Sequence, residues 1–167
     1  MTDLKAYIRN VPDFPQPGIL FRDIAPLLRQ QLGETIDALS GLITPARWTA
    51  IDAVAGIESR GFILAGALAL RHGKGFVPIR KQGKLPPPVM RARYQLEYGS
   101  GVLEMQPGTG RLLLVDDVLA TGGTMTAAAD LAVTAGYGVS HLVVLIDLNL
   151  APGYSWQGAK VMHVIDY

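Results

Sequence analysis

Two adjacent carboxylates followed by a glycine turn are the residues of this chain best suited to chemistry. Asp116 and Asp117 end the apolar run 112–115, and a Thr-Gly-Gly-Thr turn occupies positions 121–124. Glycines let backbone N–H groups approach an anion, and a helix that begins there adds partial positive charge. The carboxylates can accept hydrogen bonds from vicinal ribose hydroxyls and can help hold a hydrated Mg²⁺. The pattern predicts a sugar-phosphate site.

The turn alone would not support this interpretation. A bare Thr-Gly-Gly-Thr sequence is more often an ordinary connection between a strand and a helix, and no lysine follows Gly123 as a nucleotide-hydrolase P-loop requires. The Val-Asp-Asp sequence directly before it, 115–117, favours the ligand site.

Two strand–loop–helix units must position these residues. The first has a strand at 51–57, the loop Glu-Ser-Arg-Gly at 58–61 and a helix at 62–71 that ends before Gly73. The second has a strand at 112–115 and a helix at 124–135 that ends before Gly136. Further apolar runs at 76–79, 142–146 and 161–165 predict buried strands. We therefore predict an α/β fold with a mostly parallel core sheet flanked by helices, whose ligands bind at the carboxyl ends of the strands.

Two segments depart from this alternation. Residues 91–104 predict a hairpin with strands at 94–98 and 102–104 around a Gly-Ser-Gly loop at 99–101. A Gly- and Pro-rich loop, 81–88, precedes it. The proline-dense segment 10–18 is predicted to be irregular and to form a small cap.

Composition excludes several classes of protein. The 167 residues predict one domain, the net charge of +1 gives no electrostatic case for nucleic acid, and the absence of cysteine suits a reducing cytoplasm. The longest uncharged apolar stretch, 62–70, is too short to span a membrane, and the N-terminus lacks signal-peptide character. His72, His141 and His163 lack metal-ligand spacing.

The stretch 111–125 resembles the motif with which type I phosphoribosyltransferases bind 5-phosphoribosyl 1-diphosphate (PRPP). Four further blocks resemble the adenine phosphoribosyltransferases within that family and stand in the family's order. They are FPQPGILFRDI at 14–24, GIESRGF at 56–62, RKQGKLP at 80–86 and YQLEYG at 94–99.

The resemblance implies a fold, a reaction and an assembly. The fold would be a single domain, 1–167, with a five-stranded, mostly parallel core sheet, a small N-terminal hood at about 1–30, and a flexible loop and hairpin at 82–104. The reaction would transfer the phosphoribosyl group of PRPP to N9 of adenine, giving AMP and pyrophosphate with Mg²⁺ as cofactor. A cytoplasmic homodimer is the implied form, with neither nucleic acid nor membrane as partner.

The resemblance also assigns roles to residues. The catalytic residues it implies are Arg60, Lys84 and Glu97, and it implies a cis peptide bond between Glu58 and Ser59. Mg²⁺ would be held mainly by PRPP, and through water by Asp116 and Asp117. The phosphoribosyl group would be bound by Asp116, Asp117, Ala120, Thr121, Gly122, Gly123 and Thr124; pyrophosphate by Glu58, Ser59, Arg60, Gly61, Arg80, Lys81 and Lys84; adenine by Leu20, Phe21, Arg22 and Val118. The mobile hairpin would contribute Tyr94, Glu97 and Tyr98.

Ala120 bears on the choice of base. Related enzymes for 6-oxopurines generally carry an aspartate before the Thr-Gly pair, where it meets purine N7, whereas alanine fits adenine. Two alternatives stay open: a phosphoribosyltransferase for another nucleobase, and a regulator that senses PRPP or a nucleotide on the same fold. The segment 147–158 is shorter and less basic than the family's pattern, which leaves its role unassigned.

Overall fold

The computed structural model describes residues 2–96 and 99–167. The chain divides into two compact units, Met1–Ala38 and Leu39–Tyr167. The division into one domain with a hood at about 1–30 stays a prediction.

The first unit carries a short antiparallel ribbon. After a 3-10 helix at Leu4–Tyr7, strand β1 (Arg9–Pro12) pairs with β2 (Leu20–Asp23). The prediction of irregular structure is wrong for residues 10–12, which lie in β1. Pro12 is the last residue of that strand, where a missing N–H is tolerated. Helix α1, Ala25–Gly41, follows and has non-helical backbone angles at Gln31.

The second unit is built on an eight-stranded sheet. Its order is β5-β6-β4-β3-β7-β8-β10-β9, and the five strands from β4 to β10 in this order are parallel. The predicted five-stranded, mostly parallel core is confirmed. The strands are β3 (Ala53–Ile57), β4 (Gly75–Lys81), β5 (Met90–Leu96), β6 (Gly99–Met105), β7 (Arg111–Leu119), β8 (Gly138–Asp147), β9 (Ser155–Trp156) and β10 (Ala159–Asp166).

Helices cover both faces of this sheet. Besides the short α2 (Pro45–Thr49), α3 spans Arg60–Arg71 and α4 spans Gly123–Thr134. Phe62 of α3 meets Phe76 of β4 edge to face, with ring centroids 5.5 Å apart. The next residue of β4, Val77, packs instead into the cluster that contains α4. Because neighbouring strand residues point to opposite faces, α3 and α4 lie on opposite faces of the sheet.

Two predicted boundaries are wrong in ways that matter for the site. Strand β7 continues to Leu119, so Asp116 and Asp117 lie within it, because Val118 and Leu119 keep pairing with β8. Strand β6 begins at Gly99, so residues 99–101 are not the hairpin loop. Gly101 pairs with Tyr94, and an added Cβ there would lie 2.5 Å from the tyrosine ring, which shows that the ring covers this glycine.

Within the described residues, no helix is long and apolar enough to cross a membrane.

Candidate active site

The turn between β7 and α4, residues 120–124, has the backbone of an anion site. Gly122 precedes the helix with a φ of 88°, and no side chain among the described residues caps that helix. The first backbone N–H groups of a helix lack intrahelical partners, so these remain available to a ligand. Thr121 is exposed and Thr124 half-buried at the same turn. The turn can therefore cradle a phosphate.

The paired carboxylates lie in β7, two residues before this turn, and are almost fully buried. Asp116 is 8% exposed and Asp117 is 6% exposed. The backbone N–H of Asp117 donates to Oδ1 of Asp116 over 2.8 Å. Burial raises the pKa of Asp116 well above its ordinary value, and the neighbouring charge of Asp117 raises it further. The pair therefore resists carrying two negative charges unless a ligand compensates them.

Arg60 and Gly61 connect this pair to the loop at 58–61. A guanidinium nitrogen of Arg60 lies 2.7 Å from Oδ2 of Asp117. A Cβ added to Gly61 would stand 3.0 Å from Oδ1 of Asp116, so only a glycine allows this approach. The Glu58–Ser59 peptide bond is cis, as predicted, and Ser59 is exposed at the start of α3. The two predicted ligand loops therefore form one continuous site.

Glu58 contacts three of the basic residues predicted to bind pyrophosphate, Arg80, Lys81 and Lys84. Its carboxylate accepts from Nε of Arg80 over 3.0 Å and from the backbone N–H of Lys81 over 3.1 Å, and it pairs with Nζ of Lys84 over 2.5 Å. Burial acts to raise the pKa of Glu58, but the hydrogen bonds from Lys84, Lys81 and Arg80 outweigh it and lower the pKa overall. Two cationic side chains, those of Arg80 and Lys84, thus contact one ionised carboxylate, which leaves an excess of positive charge suited to a group with several negative charges.

Glu104, which the sequence analysis did not single out, holds the loop that carries Lys84. Its side chain is fully buried, and Oε1 accepts from the backbone N–H groups of Lys84 and Leu85, each over 2.8 Å. Nε of Arg91 lies 3.4 Å from the other oxygen. The backbone hydrogen bond from Leu85 lowers the pKa of Glu104, although burial opposes it. The sequence feature that could have identified Glu104 is an acidic residue placed between the apolar residues Leu103 and Met105 in a strand.

Removing the Glu104 carboxylate should displace Lys84. We expect Glu104→Ala to lower the melting temperature and to raise the KM for PRPP, the substrate that the resemblance implies, about tenfold, because displaced binding groups are costly. Glu104→Gln is the matched control, since one amide oxygen can still accept from both backbone N–H groups. Steady-state kinetics and thermal denaturation of both variants test this, and an alanine variant with the KM of the wild type would contradict it.

The hairpin lies beside the phosphate turn. A Cβ added to Gly123 would stand 2.7 Å from the backbone oxygen of Gln95 in β5. Tyr94 is buried in the core cluster, and burial, followed by the charge of Glu58, raises its pKa. Glu97 and Tyr98 fall outside the described residues. The flexibility of residues 82–104 and the roles of these three residues stay predictions.

The residues predicted to bind the base lie in both units. Leu20, Phe21 and Arg22 form much of β2 in the first unit, where Phe21 meets Phe14 edge to face at 5.1 Å and Arg22 pairs with Asn10. In the second unit, Val118 is half-buried in β7, and Ala120 follows that strand. Their contacts with a base stay a prediction.

The donor set fits a Mg²⁺ ion held mainly by a substrate. Among residues 2–96 and 99–167, no cluster of three or more His, Cys, Asp or Glu side chains could form a protein cage for a metal. Mg²⁺ usually keeps several waters and binds one or two carboxylates together with substrate phosphates. Asp116 and Asp117 supply such a pair, and their mutual repulsion favours a cation.

These features define a class of α/β protein with a candidate site for a phosphorylated sugar and a second phosphate group at the carboxyl edge of a parallel sheet. The phosphoribosyl transferase domain family matches residues 28–160 of the chain. The adenine phosphoribosyltransferase of Bdellovibrio bacteriovorus is 51% identical over 99% of both chains. The chain belongs to the phosphoribosyltransferase family, in its adenine phosphoribosyltransferase branch.

Solved structures agree with this assignment. The crystal structure of adenine phosphoribosyltransferase from Rhodothermus marinus is 44% identical, with a TM-score of 0.84, covering 98% of this chain and 96% of that one. The Saccharomyces cerevisiae enzyme, in complex with an imino-altritol bisphosphate and adenine, is 37% identical with a TM-score of 0.88, covering 97% of this chain and 96% of that one.

Proposed function

We propose that this protein transfers the 5-phosphoribosyl group from PRPP to N9 of adenine, giving AMP and pyrophosphate in purine salvage. The observation that carries the proposal is the single site formed by the turn at 120–124, the Asp116–Asp117 pair and the Glu58 cation cluster. In a member of the adenine phosphoribosyltransferase branch, these three parts match the 5′-phosphate, the ribose and the pyrophosphate of PRPP.

Each part has a separate task in the reaction. The turn binds the 5′-phosphate through backbone N–H groups, and the carboxylates accept hydrogen bonds from the ribose hydroxyls. As the bond from the anomeric carbon to pyrophosphate breaks, negative charge grows on the leaving group, where Lys84 and Arg80 stabilise it. Asp116 and Asp117 would help hold Mg²⁺ through water, and the ion would supply further neutralisation of charge on the phosphates.

The groups around the base complete the proposal. Leu20, Phe21 and Arg22 in the first unit, and Val118 in the second, are proposed to recognise adenine. Glu97 is proposed to assist proton transfer of the purine base while N9 attacks the anomeric carbon. The absence of a carboxylate at Ala120 favours adenine, because adenine N7 is a hydrogen-bond acceptor and needs a donor rather than a carboxylate.

An assay of base specificity tests the proposal. Purified protein with PRPP and Mg²⁺ is given adenine, hypoxanthine, guanine or orotate, and each nucleotide product is quantified. AMP should form far faster than the other products. Turnover of another base would identify a different phosphoribosyltransferase, and tight PRPP binding without turnover would identify a regulator.

The assembly and compartment are part of the proposal. We propose a homodimer, as the resemblance implies, in the reducing cytoplasm that suits a cysteine-free chain. Sedimentation analysis of the purified protein tests the dimer.

A further inference from the structure

The segment between β8 and β10, residues 148–158, is where the sequence departs from the family's pattern. It contains β9, whose Trp156 and Ser155 pair with Ala159 and Lys160 of β10. The backbone N–H of Tyr154 donates to the oxygen of Ala151 over 3.0 Å. The segment is therefore an ordered part of the second unit.

Two side chains fasten this segment to α4. The hydroxyls of Tyr154 and Thr126 lie 2.7 Å apart, and the indole N–H of Trp156 donates to Oδ1 of Asp130 over 2.7 Å. Thr126 and Asp130 are four residues apart in the helix and so lie on one face, one turn above the other. The segment runs along the first turns of α4, next to the phosphate turn.

The ring of Tyr154 lies directly against Gly122. A Cβ added to Gly122 would stand 2.4 Å from Cε2 and 2.5 Å from Cδ2 of that ring. Gly122 has the left-handed backbone conformation that precedes the helix and sets the direction of its first N–H groups. The ring thus fills the space beside Gly122, a residue whose conformation shapes the anion site.

The hydroxyl of Tyr154 also suits a place near a phosphate. Burial raises its pKa, the hydrogen bond with Thr126 lowers it, and the charge of Asp130 raises it again, with a net increase. The phenol therefore stays neutral at physiological pH and adds no repulsion toward an anion.

We propose that Tyr154 is a positioning residue for the 5′-phosphate of the phosphoribosyl substrate. It acts through Gly122, which its ring holds in place, and through Thr126 in the first turn of α4. The inference rests on the proposed phosphoribosyl transfer and adds a residue from the divergent segment to the substrate site. Binding of the phosphate, and not of the base, should depend on the ring.

The test measures binding of ribose 5-phosphate by isothermal titration calorimetry and the KM values for PRPP and adenine. We expect Tyr154→Leu to weaken the binding of ribose 5-phosphate and to raise the KM for PRPP, each about tenfold, which is the scale of loss when a binding group is misplaced. The KM for adenine should stay unchanged. Tyr154→Phe keeps the ring and should recover most of the affinity. Where Tyr154→Leu does not fold, Tyr154→Met replaces it.

Tyr137 provides the matched control. It follows the last turn of α4, about 18 Å of helix away from Gly122, and packs against the same core cluster. Tyr137→Leu should lower the melting temperature and leave ribose 5-phosphate binding intact.

The outcomes distinguish a failure of the proposed role of Tyr154 from a failure of the proposed phosphoribosyl transfer. Wild-type affinity in Tyr154→Leu, or equal losses in Tyr154→Phe and Tyr154→Leu, would overturn the role of the ring. If the wild type binds ribose 5-phosphate but converts no adenine, the proposed activity fails while the variants still test Tyr154. A wild type that forms AMP but does not bind ribose 5-phosphate would overturn the role of Tyr154 and leave the activity standing.

Discussion

The double variant Asp116→Asn, Asp117→Asn is expected to bind PRPP at least about 100-fold more weakly than the wild type and to fold normally. A hydrogen bond to a charged acceptor contributes about 1.5–3 kcal/mol, so two lost acceptors correspond to about 3 kcal/mol or more. The substitutions keep the shape of both side chains, and each carboxamide retains one acceptor oxygen. Isothermal titration calorimetry with PRPP and Mg²⁺ measures the loss.

The fold should tolerate this change because the site is built at the expense of stability. Two buried carboxylates lie side by side, and burial together with the charge of Asp117 raises the pKa of Asp116 well above its ordinary value although the charge of Arg60 opposes this. Asp166→Asn, at the end of β10 and with a side chain 66% exposed, is the control for the loss of an acid elsewhere. PRPP affinity that stays unchanged in the double variant would remove the ribose assignment.

The single variant Asp116→Asn should show that the buried carboxyl group of Asp116 makes the stability of the wild type depend on pH. The folded protein raises the pKa of Asp116, so it binds that proton more tightly than the unfolded chain does. The wild type therefore loses stability as pH rises from the unfolded pKa through the folded pKa, whereas the variant lacks this titration. Urea denaturation from about pH 4 to about pH 8 should show the variant gaining on the wild type. A constant difference would contradict the raised pKa.

Local chemistry made much of the site predictable. An apolar run, two acids and a glycine turn follow one another in sequence, so the carboxylates and the turn before α4 could be assigned to one ligand site without a structure. The end of β7 could not, because pairing with β8 carries the strand past Asp117. Strand ends depend on partners that are distant in sequence.

Contacts between residues that are distant in sequence account for the parts of the site that could not be predicted. Arg60 pairs with Asp117 across 57 positions because β3 and β7 are neighbours in the sheet, and no local pattern encodes that neighbour. Glu104 was overlooked since an acid in a hairpin is usually solvated, and only the fold buries it against the 83–85 backbone. Tyr154 was not predicted because segment 147–158 departs from the family's pattern, so that no role could be assigned to its residues.

We expect the positive charge of Lys84 to contribute more to the reaction rate than the other charges of the site. We expect Lys84→Met to lower kcat about 100-fold, close to 2.7 kcal/mol of transition-state stabilisation, as when one preorganised donor is removed. The KM for adenine should change little, because the lysine lies among the residues assigned to pyrophosphate. Lys74→Met, in the turn after α3, is the matched control and should retain wild-type kinetics.

The reason lies in how Glu58 and Glu104 prepare this lysine. Glu104 fixes the backbone of Lys84, and Glu58 holds its ammonium group within 2.5 Å in the free protein. Because its pKa is lowered, Glu58 stays ionised at neutral pH, and the pair persists until a more highly charged pyrophosphate competes for the lysine. Inhibition by pyrophosphate should therefore weaken in Lys84→Met together with kcat. A fall in kcat without weaker pyrophosphate inhibition would place the lysine's effect elsewhere than on the leaving group.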